Sequence, residues 1–118
     1  MNCYFDEKGN PKIRLFVKSD EEEVEVEALI DTGFNGQIML SLPVAMQLKL
    51  KLLSSVTITL ADGSVKNKLL FEGKAKLDKV YSPVEIILTE EGDDKIGVGL
   101  LKNSKLIMDF TKKKILIK

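Results

Sequence analysis

The residues best placed to do chemistry stand in Ala28-Leu29-Ile30-Asp31-Thr32-Gly33-Phe34-Asn35-Gly36, where an apolar run delivers a carboxylate into a turn with two glycines. A carboxylate serves as general base when ionised and as general acid when protonated. Packing alone does not ask for an acid at that point. Two readings of it stand side by side: Asp31 caps the turn while Gly33 supplies an unusual backbone angle, or Asp31 is held at a strand end to react. Composition narrows the chemistry. The 118 residues include no histidine, which excludes every Ser-His-Asp and Cys-His arrangement and every histidine metal site. Cys3 is the only cysteine, so an intramolecular disulfide and a thiolate cluster are excluded too. The run Asp20 to Glu23 lacks a glycine-bearing ligand loop and reads as a solvated face rather than a cation site. No metal or cofactor is expected, and any reaction must use carboxylates, lysines or hydroxyls.

The elements that must hold Asp31 are legible as alternation. Ile13, Leu15 and Val17 alternate with Lys12, Arg14 and Lys18, and Val24, Val26, Ala28 and Ile30 alternate with Glu23, Glu25 and Glu27. These are two half-buried strands joined by the polar turn Lys18 to Glu22, the second running directly into Asp31. Ser41 is placed to cap a short helix with Pro43 in its first turn, ending near Leu48. Val56, Ile58 and Leu60 then lead to Ala61-Asp62-Gly63-Ser64, an Asp-Gly hairpin signal, followed by Val65 and the apolar run Leu69 to Phe71. Further strands are expected over Lys74 to Leu77, over Val84 to Leu88 after Pro83, over Leu106 to Phe110 and over Ile115 to Ile117. Many short strands with one or two short helices predict an all-β, mainly antiparallel fold closed into a β-barrel, formed as a single domain over residues 1–118.

Charge removes other classes. Eighteen Lys plus Arg balance eighteen Asp plus Glu, and the seven aromatics are scattered, so the basic stripe of a nucleic-acid binder is absent. Residues 1–30 carry eight acids against four bases, while residues 101–118 carry six bases against one acid. This pattern reads either as solvated strand faces or as two chain ends that meet across an interface. No apolar run is long enough to span a membrane, and Met1 to Pro11 does not resemble a signal peptide, so a cytoplasmic protein is expected.

Taken in order over residues 12–118, these motifs resemble the retropepsin-like aspartic proteases of clan AA, especially the short prokaryotic type. That pattern has a hairpin leading to apolar-apolar-Asp-Thr-Gly, matched by Leu29 to Gly33. It continues with a hairpin flap, for which Val56 to Phe71 with its Ala61, Asp62, Gly63 and Ser64 tip is the candidate. It closes with an apolar-Gly motif, a short helix beginning with paired leucines and a final strand. Ile96-Gly97-Val98-Gly99-Leu100-Leu101 and Leu106 to Phe110 match that part. The resemblance implies Asp31 as the catalytic residue, Thr32, Gly33 and Gly97 as supports of its loop, and a peptide or protein as substrate.

Its mechanism needs two carboxylates. Held about 3 Å apart, two carboxyl groups cannot both ionise; they share one proton, so one acts as base toward a bound water and the other as acid toward the peptide carbonyl. This chain has one such tripeptide. The second carboxylate is therefore expected from a symmetry-related copy, making a homodimer the catalytic unit of an endopeptidase. The resemblance also implies that terminal strands, here Cys3 to Phe5 and Ile115 to Ile117, interleave between the copies, and that the Thr32 hydroxyl bonds across the axis. Lys95, Val98 and the single glycine of the flap tip depart from the viral pattern. The rival expectation is a dimeric β-barrel of the same fold that binds peptides by edge addition without turnover.

Overall fold

The computed structural model describes residues 2–90 and 92–118. β1 (Asn2–Phe5) and β2 (Pro11–Lys18) form a first hairpin, and β2 pairs antiparallel with β3 (Glu23–Ile30) from Lys12↔Leu29 to Lys18↔Glu23. Alternation sets the faces: Ile13, Leu15, Val17, Val26, Ala28 and Ile30 are buried, while the glutamates between them face water. β4 (Ile38–Ser41) leads into α1 (Leu42–Leu48), which starts with Pro43 in its first turn and ends at Lys49 in the left-handed region. Ser41 occupies the N-cap position without a side-chain capping bond; its backbone N–H donates instead to Asp94 Oδ1 at 2.7 Å.

β5 (Lys51–Thr59), β6 (Val65–Lys76) and β7 (Tyr81–Thr89) form an antiparallel meander. β6 is a single strand of 12 residues rather than the two expected. Gly73 explains its continuity. One edge of β6 pairs with β5 as far as Glu72 and with β2 from Lys74, and Gly73 stands at the hand-over. A Cβ there would lie 2.8 Å from Ile86 Cδ1 and 3.2 Å from Lys18 O, so the backbones come together only because none is present. Pro83 lies inside β7 rather than before it.

β8 (Lys95–Ile96) is inserted between β3 and β4, parallel to the first and antiparallel to the second. β9 (Leu106–Asp109) and β10 (Lys114–Ile117) form a separate two-stranded sheet. The main sheet therefore runs β1-β2-β3-β8-β4-β7-β6-β5, with a further pairing of β2 to β6. The expectation of an all-β, mainly antiparallel fold is met in part: most pairings are antiparallel, but β3–β8 and β4–β7 are parallel. The three-residue β2–β6 pairing joins β2-β3-β8-β4-β7-β6 into a ring, with β1 and β5 extending beyond it. The paired leucines Leu100 and Leu101 start no α-helix. They lie in turns closed by three-residue bonds such as Leu100 N–H to Gly97 O at 3.1 Å.

One core lies beneath these strands. Ile13, Ile38, Leu40, Leu48, Ile86 and Ile96 are completely or almost completely buried, each contributing about 1.5–3 kcal/mol by leaving water. Ile115 and Ile117 of β10 complete it, and β1 lies against β10. The two chain ends thus already meet within one copy, but no ion pair among the described residues joins them.

Candidate active site

Because β3 and β8 run parallel as neighbours, the loops that follow them emerge side by side. Asp31 leaves the first and Gly97 the second. Backbone bonds lace these loops together. Asp31 N–H donates to Ile96 O at 3.0 Å, Gly97 N–H to Gln37 O at 3.0 Å, Val98 N–H to Phe34 O at 2.9 Å and Gly99 N–H to Gly36 O at 3.0 Å. Such an approach requires bare backbone. A Cβ on Gly97 would lie 2.4 Å from the carbonyl oxygens of both Phe34 and Gly36, and one on Gly99 would lie 2.7 Å from Asn35 O. Gly97 is therefore packed against the Phe34, Gly36 and Gln37 backbone of the loop that Asp31 opens.

Within the turn, Asp31 serves both readings on different oxygens, but Gly33 does not supply the unusual backbone angle expected of it, since its φ lies outside the left-handed region. Oδ1 accepts the Gly33 N–H at 2.9 Å, and the Asp31 carbonyl accepts the Phe34 N–H at 3.1 Å, so the residue does close the turn. Oδ2 takes no backbone donor among the described residues and faces the Lys95 Nζ at 3.6 Å. Asp31 is 31 % exposed, open enough to meet a reactant. Thr32 is exposed beside it, and its hydroxyl has no partner among the described residues. Asp31, Thr32, Gly33 and Gly97 form one constellation.

The second group of candidates stands apart. β7 pairs with β6 only from Leu70 inward, so from Ser55 and Leu69 outward β5 and β6 continue as a two-stranded ribbon with a mostly exposed surface. A bulge between Leu52 and Ser54 sits at its base. The tip is the expected tight turn: Leu60 N–H donates to Ser64 O at 2.8 Å, Gly63 N–H donates to Leu60 O at 2.9 Å, and Gly63 has φ +85°. Asp62 Oδ1 accepts from the Ser64 hydroxyl at 2.6 Å and its N–H at 2.9 Å. These bonds hold the Asp62 carboxyl below the usual carboxylate range. Ala61 is exposed at the turn, and none of the tip's hydrogen bonds reaches Asp31.

Several contributors went unread in the sequence. Gln37, Gly36 and Phe34 accept or cover the Gly97 loop, and the Asp94 carbonyl accepts the Leu29 N–H at 2.8 Å. The Gly97-Val98-Gly99 spacing was the available signal for a second close approach. Among the described residues, no three carboxylate or thiol side chains gather as a metal ion would need. Concavities of about 550 Å³ around Lys18, Lys49 and Lys74 and about 270 Å³ around Lys66, Leu69 and Leu88 do not include Asp31.

The fold that carries this site is also found in solved structures. A retropepsin-like aspartic protease from Rickettsia conorii superposes with TM-score 0.69 at 20% identity, over 98% of this chain and 86% of that one. EIAV protease in complex with the inhibitor HBY-793 gives TM-score 0.69 at 14% identity, over 88% and 98%. The retroviral protease-like domain of Ddi1 from Leishmania major gives 0.51 at 15% identity, over 91% and 88%. The chain has a retropepsin-like fold. No protein-family model and no curated protein matches it in sequence.

Proposed function

We propose that the protein is a homodimeric aspartic endopeptidase in which two symmetry-related Asp31 carboxylates activate a water for attack on a peptide bond. The observation that carries this reading is the division of labour on Asp31: Oδ1 is spent on the turn, while Oδ2 is kept clear of backbone donors at a partly exposed strand end. In the dimer the two carboxyl groups lie about 3 Å apart and share one proton, the ionised one taking a proton from water and the protonated one donating to the carbonyl oxygen. Thr32, exposed and with no hydroxyl partner among the described residues, is free to bond across the axis. Gly97 holds the two loops at backbone contact, while Gly33 gives its N–H to Asp31 Oδ1, an oxygen that a Cβ on Gly33 would crowd at 3.2 Å.

The ribbon from Ser55 to Leu69, with Ala61, Asp62, Gly63 and Ser64 at its tip, is the lid over the substrate. The concavities of the single chain named above lie away from Asp31, which suits a cleft enclosed by two copies. The substrate is a peptide or protein. Zero net charge gives no support for nucleic acid as partner. A cytoplasmic setting is part of this reading. No helix among the described residues is long and apolar enough to cross a membrane. Nothing in the site favours the rival binding module.

The test joins assembly to activity. Sedimentation at micromolar concentration should give about twice the 13.2 kDa of one chain, and peptide cleavage should rise with the dimer fraction as protein concentration is varied. Cleavage by a species that stays monomeric would refute the paired-carboxylate mechanism.

A further inference from the structure

Lys95 stands where a substrate must pass. Its neighbour Ile96 is completely buried, and successive side chains of a strand point to opposite faces, so Lys95 is turned out of the core toward Asp31. Its ammonium lies 3.6 Å from Asp31 Oδ2, the oxygen that the turn leaves free. The adjoining Asp94 does not compete for it in the ion pairs of the described residues; Asp94 Oδ1 takes the Ser41 N–H. Lys95 thus occupies the very atom the proposed reaction requires.

The pair is poorly suited to permanence. Both side chains are 31 % exposed, and an ion pair that water reaches is weak and readily exchanged. A peptide laid with its carbonyl against Asp31 covers both groups and strips that water away. The ammonium then needs an anionic partner other than the carboxylate committed to the reaction. A substrate carboxylate next to the scissile bond supplies one and frees Oδ2 in the same movement. A substrate lysine or arginine there meets like charge instead.

We infer that Lys95 is a specificity-determining residue, whose ammonium selects peptides bearing aspartate or glutamate beside the bond placed against Asp31. In a twofold dimer one Lys95 flanks each side of that bond, so the preference extends to both sides. The inference rests on the peptidase reading of Asp31 and names its substrate class.

The experiment exposes a degenerate peptide pool to the full-length protein and maps cleavage positions by mass spectrometry. The same pool is offered for binding to the Asp31→Asn protein, with retained peptides sequenced. Acidic over neutral residues beside the cut should be favoured about tenfold, the scale of one charge-assisted hydrogen bond. Lys95→Met should erase the ratio, Lys95→Arg should keep it, and Lys95→Glu should turn it toward basic residues. Cleavage without an acidic preference, or with one that survives Lys95→Met, overturns the inference and leaves the peptidase reading standing. Acidic peptides retained in a Lys95-dependent way, with no cleavage by wild-type protein, uphold the recognition role and overturn the peptidase reading. Neither cleavage nor Lys95-dependent retention overturns both.

Discussion

The loop carrying Asp31 and the hairpin carrying Gly63 are both glycine turns that follow a strand, yet they are held in opposite ways. Around Asp31, four backbone N–H groups cross between two loops, and no side chain could be added at Gly97 without striking two carbonyl oxygens. Around Gly63 the hydrogen bonds are all local, a Cβ would meet nothing within 4 Å, and the ribbon is paired on one edge only. Rigidity at Asp31 and freedom at the ribbon are thus produced by contact density rather than by turn chemistry, and the proposed reaction would use the first to place charge and the second to admit substrate. The first region is over-determined; the second is restrained by its own tip.

The sharpest way to break this contrast is Asp31→Asn. The amide is nearly isosteric and still accepts the Gly33 N–H, so fold and assembly should persist while turnover falls about a thousandfold. When wild-type and Asp31→Asn chains are refolded together, activity should follow the square of the wild-type fraction. A linear decline would mean that each chain works alone.

Gly97→Ala tests the rigidity itself. With its Cβ 2.4 Å from the carbonyl oxygens of Phe34 and Gly36, the loops must part, at a cost of about 3 kcal/mol read as a lower urea midpoint. An unchanged midpoint would show that the loops are looser than their hydrogen bonds indicate.

Gly63→Val is the matching change at the other region. It meets open space, and its penalty is the left-handed backbone at φ +85°, about 1–2 kcal/mol. Turnover should fall more than the midpoint shifts, the reverse of Gly97→Ala, if the ribbon closes over substrate. Equal effects on both would remove the lid from the mechanism.

The smallest expected effect is a pH response confined to the tip. Bonds from the Ser64 hydroxyl and N–H lower the Asp62 carboxyl in the folded chain. A depressed folded value means that the support is complete above the ordinary carboxylate range near pH 4 and is lost as pH falls through the lower folded value. Amide exchange at Gly63 and Ser64, taken relative to an unstructured peptide, should accelerate on that acidification. It should be flat in Asp62→Asn.

Strand existence was legible wherever one face is buried. Val24, Val26, Ala28 and Ile30 alternate with glutamates because one side of β3 is core and the other water, and the Asp-Gly turn announced the β5–β6 hairpin through the positive φ it needs. The elements that escaped are the short or non-local ones. β8 has two residues and β4 has four, too few to show a period, and their partners lie far along the chain. Helical expectation at Leu100 and Leu101 failed because the Gly97 loop draws that segment into three-residue turns. The terminal strands, which the resemblance places between copies, also have partners within the chain: β1 pairs with β2, and β10 pairs with β9 and buries Ile115 and Ile117. Removing β10 would therefore strip the core, whereas Leu116, 55 % exposed on the same strand, is the cleaner probe of association.

Local chemistry and periodicity were enough to single out Asp31, its turn and the hairpin tip, since each depends on residues within a few positions of one another. Parallel insertion of β8, the glycine-to-carbonyl contact of the two loops and the ammonium against Asp31 Oδ2 depend on residues about 65 positions apart. Those contacts exist only once the strands have taken their order, because a two-residue strand has no preference of its own until neighbours on both sides supply its hydrogen bonds.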